Sequence, residues 1–124
     1  MAANKVIRFG PVALSATTTT NIINPPTVTG GTGLAGTNTA TYVIIRHIRI
    51  VNKTAGAVTF SLYIGGTGGN VAGTEFMGLG NSIAANSYVD WYGMLRLDTA
   101  DFLVGGASAA TSLTIEAEGE IGIV

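Results

Sequence analysis

At 124 residues the chain is long enough to bury a single hydrophobic core, and there is no room to look for a second domain. Only 10% of the residues are charged, against the roughly 25% usual for soluble globular proteins, while 47% are apolar and the formal net charge is −1. Six scattered Lys and Arg exclude the clustered phosphate contacts on which nucleic-acid affinity rests, and the absence of cysteine excludes disulfides and thiolate metal sites.

Mean hydropathy is positive, at +0.45. The longest strongly apolar run, Tyr42 to Ile45, nevertheless stops at Arg46, far short of the roughly 20 residues that a membrane-spanning helix needs. The first residues, Met1-Ala2-Ala3-Asn4-Lys5, carry no hydrophobic stretch of the kind a secretory signal requires, so synthesis in the cytoplasm is expected. An exterior this poor in charge lacks the repulsion that keeps free globules apart, which points to a surface covered by neighbours.

In chain order, the first predicted strand is Lys5 to Phe9 and the second Ala16 to Ile23. Asn24 to Thr41 follows, opened by Pro25-Pro26 and too long for a hairpin turn, and it is expected to be a surface loop. Tyr42 to Asn52 reads as a long central strand with apolar residues at both parities, which implies burial on both faces or a bulge near Arg46-His47-Ile48. After an Ala55-Gly56 turn, Val58, Phe60, Leu62 and Ile64 alternate with Thr59, Ser61 and Tyr63, the period-two pattern of a half-buried strand. Gly65 to Thr74 holds five glycines and is a second surface loop.

Glu75 to Ala84 and Ser87 to Leu97 are strands around an Ala85-Asn86 turn, and Phe102 to Gly105 is a short one. Leu113, Ile115 and Ala117 alternate with Thr114, Glu116 and Glu118, and the alternation runs on to Glu120 and Ile121. No window sustains helical spacing. The sum is an all-β chain, 1–124, forming a single antiparallel β-sandwich, jelly-roll-like, of about eight strands, with a long surface loop at 24–41.

Motifs with chemical meaning fail on context. Gly31-Thr32-Gly33-Leu34-Ala35-Gly36 matches the dinucleotide pattern G-x-G-x-x-G, yet a Pro-Pro pair precedes it and a strand follows, so the helix N-terminus that would hold a pyrophosphate is missing. His47 is the only histidine and has no second ligand at a telling spacing, so a hydrogen-bonded sheet histidine is the reading, not a metal site. No serine sits in a G-x-S-x-G elbow, and Asp98-Thr99-Ala100-Asp101 has the composition of a self-bonded turn. No catalytic residue, metal or cofactor is expected. Asn52-Lys53-Thr54 fits a glycosylation sequon but reads as a turn.

Glu116, Glu118 and Glu120 fall on one face of a strand, where a row of like charges is costly unless cations stand opposite. Arg46 and Arg49 are the candidates, which predicts that the strand of Glu116 and Glu118 lies beside Tyr42 to Asn52, with Glu118 facing Arg49. Tyr88 and Tyr92 share one strand face while Trp91 points to the other, so three rings do not make one platform. Tyr63, Tyr88 and Tyr92 are the stacking candidates of an alternative reading, a non-catalytic carbohydrate-binding module.

The order Ile48-Arg49-Ile50-Val51-Asn52, Val58 to Ile64, Ile83-Ala84-Ala85-Asn86-Ser87, Trp91, Leu95 to Asp101 and Ser112 to Glu116 with Gly119-Glu120 resembles small β-sandwich virion proteins of tailed bacteriophages. It is most like the capsid decoration, or cement, proteins, and the resemblance covers about residues 42 to 120. It implies a virion component on the capsid surface, made in the host cytoplasm, that binds the major capsid protein and bridges its subunits as a homotrimer. A tail, baseplate or head-tail connector component is the alternative within the virion. Candidate partner contacts lie in the two loops, at Asn24, Pro25, Pro26, Thr32, Leu34, Thr37 and Asn70.

Overall fold

A computed structural model of the chain describes residues 5–23, 40–98 and 101–123. Among them run eight strands: β1 (Lys5–Ala13), β2 (Asn21–Ile23), β3 (Ala40–Asn52), β4 (Val58–Gly65), β5 (Glu75–Ile83), β6 (Tyr88–Leu97), β7 (Phe102–Ala107) and β8 (Leu113–Ile123). They form two four-stranded sheets, ordered β1-β8-β3-β6 and β2-β7-β4-β5, and every pairing is antiparallel. β1 pairs with β8, β2 with β7, β3 with β6 and β4 with β5, so each strand meets its counterpart counted from the other end of the chain. A long hairpin wrapped into two sheets has this pairing, and it is the jelly-roll form of the β-sandwich.

Period-two alternation puts the core between the sheets. Val43, Ile45, Ile48 and Ile50 of β3 face Phe60 and Leu62 of β4 with Leu95, Leu97, Leu103, Leu113 and Ile115 in one buried cluster. Each such side chain contributes about 1.5–3 kcal/mol by leaving water. On the side where β5 and β6 bound the sandwich, Trp91 of β6 meets Phe76 of β5 edge to face, with ring centroids 4.9 Å apart. Gly93 makes room for the indole, since a Cβ there would lie 2.7 Å from the Trp91 ring.

β3 is an interior strand of its sheet, flanked by β8 and β6. Both parities are apolar because of a bulge between Ile45 and His47. No residue lies between the partners of Ile45 and His47 on β8, Arg46 alone lies between them on β3, and Gly93 and Met94 lie between their partners on β6. The sheet therefore fans out from β8 towards β6, and Arg46 and His47 emerge on the same outer face. Gly119 sits at the tight side of the fan, where a Cβ would strike the Ile44 carbonyl.

One strand expectation needs correction. Ala16 to Ile23 is a strand only over Asn21–Ile23, because the hydroxyls of Ser15, Thr17 and Thr20 bond to one another and to the Thr17 carbonyl, which holds the segment in local turns. The expected Glu75–Ala84 strand forms as β5, Glu75–Ile83, and its pairing with β4 is interrupted by an excursion at Met77–Gly80, where Met77 and Gly80 take positive φ of 68° and 66° and Asn81 Nδ2 bonds back to the Met77 carbonyl. The Asp98 and Asp101 turn forms as read: Asp101 N–H donates to the Asp98 carbonyl and Asp98 N–H to the Asp101 carboxylate. The Gly31–Gly36 motif and most of the 24–41 loop lie outside the described residues.

Asn52, at the end of β3, is completely buried. Its Nδ2 donates to the carbonyls of Gly56, Ile83 and Ala84, and its Oδ1 accepts from the backbone and hydroxyl of Thr54. One amide thus ties the β3–β4 turn to the β5–β6 turn, and no glycan can reach its nitrogen.

Candidate functional site

Charge is segregated between the two sheets. Lys5, Arg8, Arg46, Arg49, Asp90, Arg96, Glu116, Glu118 and Glu120 all lie on strands of the β1-β8-β3-β6 sheet, whereas the strands of the other sheet carry Glu75 alone. The first sheet gathers these residues because outward positions alternate with core positions on β3, β6 and β8.

At the centre of that face lies His47. Its Nε2 is 2.9 Å from Asp90 Oδ1 on β6 and its Nδ1 is 3.1 Å from Glu118 Oε1 on β8, so one imidazole joins three strands. Its ring stacks on Tyr92, its register partner, with centroids 4.6 Å apart and planes inclined by 16°. Arg49 grips Asp90 with two parallel bonds, Nε to Oδ1 at 2.7 Å and Nη2 to Oδ2 at 2.9 Å, the bidentate geometry that suits guanidinium and carboxylate. The same guanidinium lies over the Tyr88 ring, 4.6 Å from its centroid.

These contacts shift the titrations together. The bidentate bond from Arg49, and then the bond from His47, hold the Asp90 carboxyl well below its usual range, at about 2. The hydrogen bond to Asp90 raises the His47 pKa, burial opposes that rise, and Glu118 adds to it. The Arg49 guanidinium is held still more firmly in its charged form, chiefly by Asp90.

Arg46 reaches Glu120 at 3.4 Å. Arg49 bonds to Asp90 and not to Glu118, although Glu116 is its register partner on β8, and Glu118 takes His47 instead. The expected Arg49 and Glu118 pair is thus replaced by a pair across the other neighbour, because Asp90 stands directly opposite Arg49 on β6. Glu116 makes no ion pair among the described residues. Asp90 was legible as an outward residue between Tyr88 and Tyr92, but its role needed the β3–β6 register, which local sequence does not contain.

Both nitrogens of His47 are engaged by carboxylates, so neither is directed at a hydroxyl. Among the described residues no group of three or more His, Asp or Glu side chains is arranged to hold a metal ion.

Of the loop candidates, Asn24, Pro25, Pro26, Thr32, Leu34 and Thr37 lie outside the described residues. Asn70 is exposed and donates to the Thr18 hydroxyl at 3.0 Å. Beside it, Asn21 donates to Thr67 and accepts from the Gly68 amide, so these bonds join the Gly65–Thr74 loop to the start of β2 and to the segment before it. Neither segment carries a charge. Tyr63 is 6% exposed and unavailable for stacking, whereas Tyr88 and Tyr92 are 57% and 71% exposed.

No protein-family model and no curated protein matches the chain. Among solved structures, the coat protein of Tobacco streak virus is similar at 14% identity and a TM-score of 0.42, over 98% of this chain and 86% of that chain. The jelly-roll assignment rests on the strand pairings themselves.

Proposed function

We propose that the chain is a virion structural protein, a decoration protein that binds the outside of a bacteriophage head and bridges major capsid subunits. The observation that carries the reading is the segregation of charge. Among the described residues one sheet holds all the strand charges but Glu75, several of them paired with one another, and the loops at Ser15–Asn21 and Gly65–Thr74, bonded to each other, offer an uncharged polar surface. A partner can cover such a surface without stripping water from ions, in keeping with the depletion of charged residues at interface cores. The jelly roll is a scaffold common to capsid proteins, and this support is fold-level analogy.

Asn70 and the 24–41 loop, which follows β2 directly, supply the contacts in this reading. Homotrimers on the capsid lattice multiply individually weak contacts, so no one interface has to be large. Electron microscopy of the particles that carry the chain tests the proposal. Many copies spread over the head are expected. Copies confined to the tail, or to one vertex as in a connector, overturn it. Deleting residues 24 to 40 is expected to leave a folded sandwich that no longer binds heads.

A further inference from the structure

We infer that the outer edge of β6 is a binding site for a neutral oligosaccharide, with Tyr88 and Tyr92 as its stacking platforms. This goes beyond the capsid reading and does not depend on it. Arg49 and His47, which cover one face of each ring, both belong to β3, the strand on the inner side of β6. The opposite ring faces therefore look away from the sheet, past its edge. Tyr92 is 71% exposed although it is stacked on His47, and Tyr88 is 57% exposed beneath Arg49, which requires those outer faces to be bare.

The two rings lie on one strand face, four residues apart, hence about 13 Å along β6. That is too far for one pyranose to touch both and suits a short chain laid along the strand. Met94, 65% exposed two residues beyond Tyr92, lengthens the apolar track. Sugar rings present C–H faces to aromatic faces, and their hydroxyls need donors and acceptors nearby. Among the described residues β6 pairs with β3 only, so its other edge offers unpaired backbone N–H and C=O groups.

Charge selects the ligand class. Asp90 is matched by Arg49, and protonated His47 matches Glu118, so with His47 charged the groups behind the rings neutralise one another and complement an uncharged ligand. The same pairs hold both rings upright before any ligand arrives, which lowers the ordering cost of binding. A peptide strand adding to the β6 edge is the competing occupant. The fan between Ile45 and His47 disfavours it, because Gly93 and Met94 interrupt the regular ladder in mid-strand.

The full chain, titrated with cellohexaose, maltohexaose, mannohexaose and chitohexaose and followed by amide NMR shifts, tests the site. Saturable shifts confined to Tyr88–Arg96 and their β3 neighbours are expected with at least one hexaose. Tyr88→Ala and Tyr92→Ala are each expected to weaken binding roughly tenfold, while Tyr92→Phe, which keeps the ring, binds as the parent does. Four flat titrations overturn the inference, as does binding that survives both alanine substitutions together. Sedimentation that shows a dimer dissociated by Tyr92→Ala, with no hexaose response, assigns the edge to a second copy of the chain and equally overturns it.

Discussion

The Asn52 amide and the Asp90 carboxylate are both held by several hydrogen bonds, yet one is sealed from water and the other stands at a sheet surface. Asn52 is neutral, and its partners are mostly backbone groups of two turns at one end of the sandwich. Asp90 is charged, its partners are side chains on β3, and solvent reaches the cluster. Deep burial makes each bond in the first network costly to lose, since the orphaned groups find no water. Solvent discounts the second network, in which ions lose partners but regain hydration. The first network is a stability device, and the second sets the shape of an exposed face.

Removing Asn52 breaks that comparison most directly. Asn52→Ala strands the buried Ile83 carbonyl and the Thr54 amide, and we expect a loss of about 3 kcal/mol. A lowered urea midpoint with an unchanged slope is the expected reading, insensitive to salt because no ion is involved. Asn52→Asp sharpens the result: it keeps the acceptor for Thr54 but sets a carboxylate against the carbonyls of Gly56, Ile83 and Ala84, and should cost at least as much.

The surface cluster answers to pH instead. The His47 pKa is raised in the fold, so its contribution is fully present below its unfolded value of about 6.5 and is lost as pH rises through the higher folded value. Asp90, lowered from 3.8 to about 2, contributes above about pH 4 and loses that contribution as pH falls towards 2. The difference in melting temperature between the parent and His47→Gln is therefore expected to shrink on raising pH past neutrality. A difference that is constant from pH 5 to about 9 would show that His47 does not titrate through its carboxylate contacts.

How far the sequence discloses this arrangement depends on whether a feature is local. Period two in Val58–Ile64 and Leu113–Ile121 locates β4 and the body of β8, because burial of one face writes itself into successive residues. The bulge beside Arg46 shows as a break in that parity, and the jelly roll follows from the number of strands and the absence of helices. The Thr17 to Thr20 run misleads, since β-branched residues favour strands while their hydroxyls, placed beside Ser15, favour turns. Pairing choices are not local at all. Arg49 has a carboxylate on either side, Asp90 on β6 and Glu116 on β8, and only the assembled register shows both. The burial of Tyr63 is likewise invisible, because its outward parity predicts exposure.

Arg46 gives the smallest expected effect and the finest test of the contrast between the two networks. It is the extra residue of the bulge, its side chain is 49% exposed, and its single nitrogen-to-oxygen approach to Glu120, at 3.4 Å, is long and lacks the fork that Arg49 makes with Asp90. An exposed pair of this kind gives back in side-chain ordering most of what it gains by attraction. Arg46→Ala is therefore expected to change stability by no more than about 0.5 kcal/mol. In about 1 M salt, where the screening length falls to about 3 Å, the difference from the parent should vanish. A loss in high salt as large as that of Asn52→Ala would mean that the bulge depends on the Arg46 stem packing along the sheet and not on its charge.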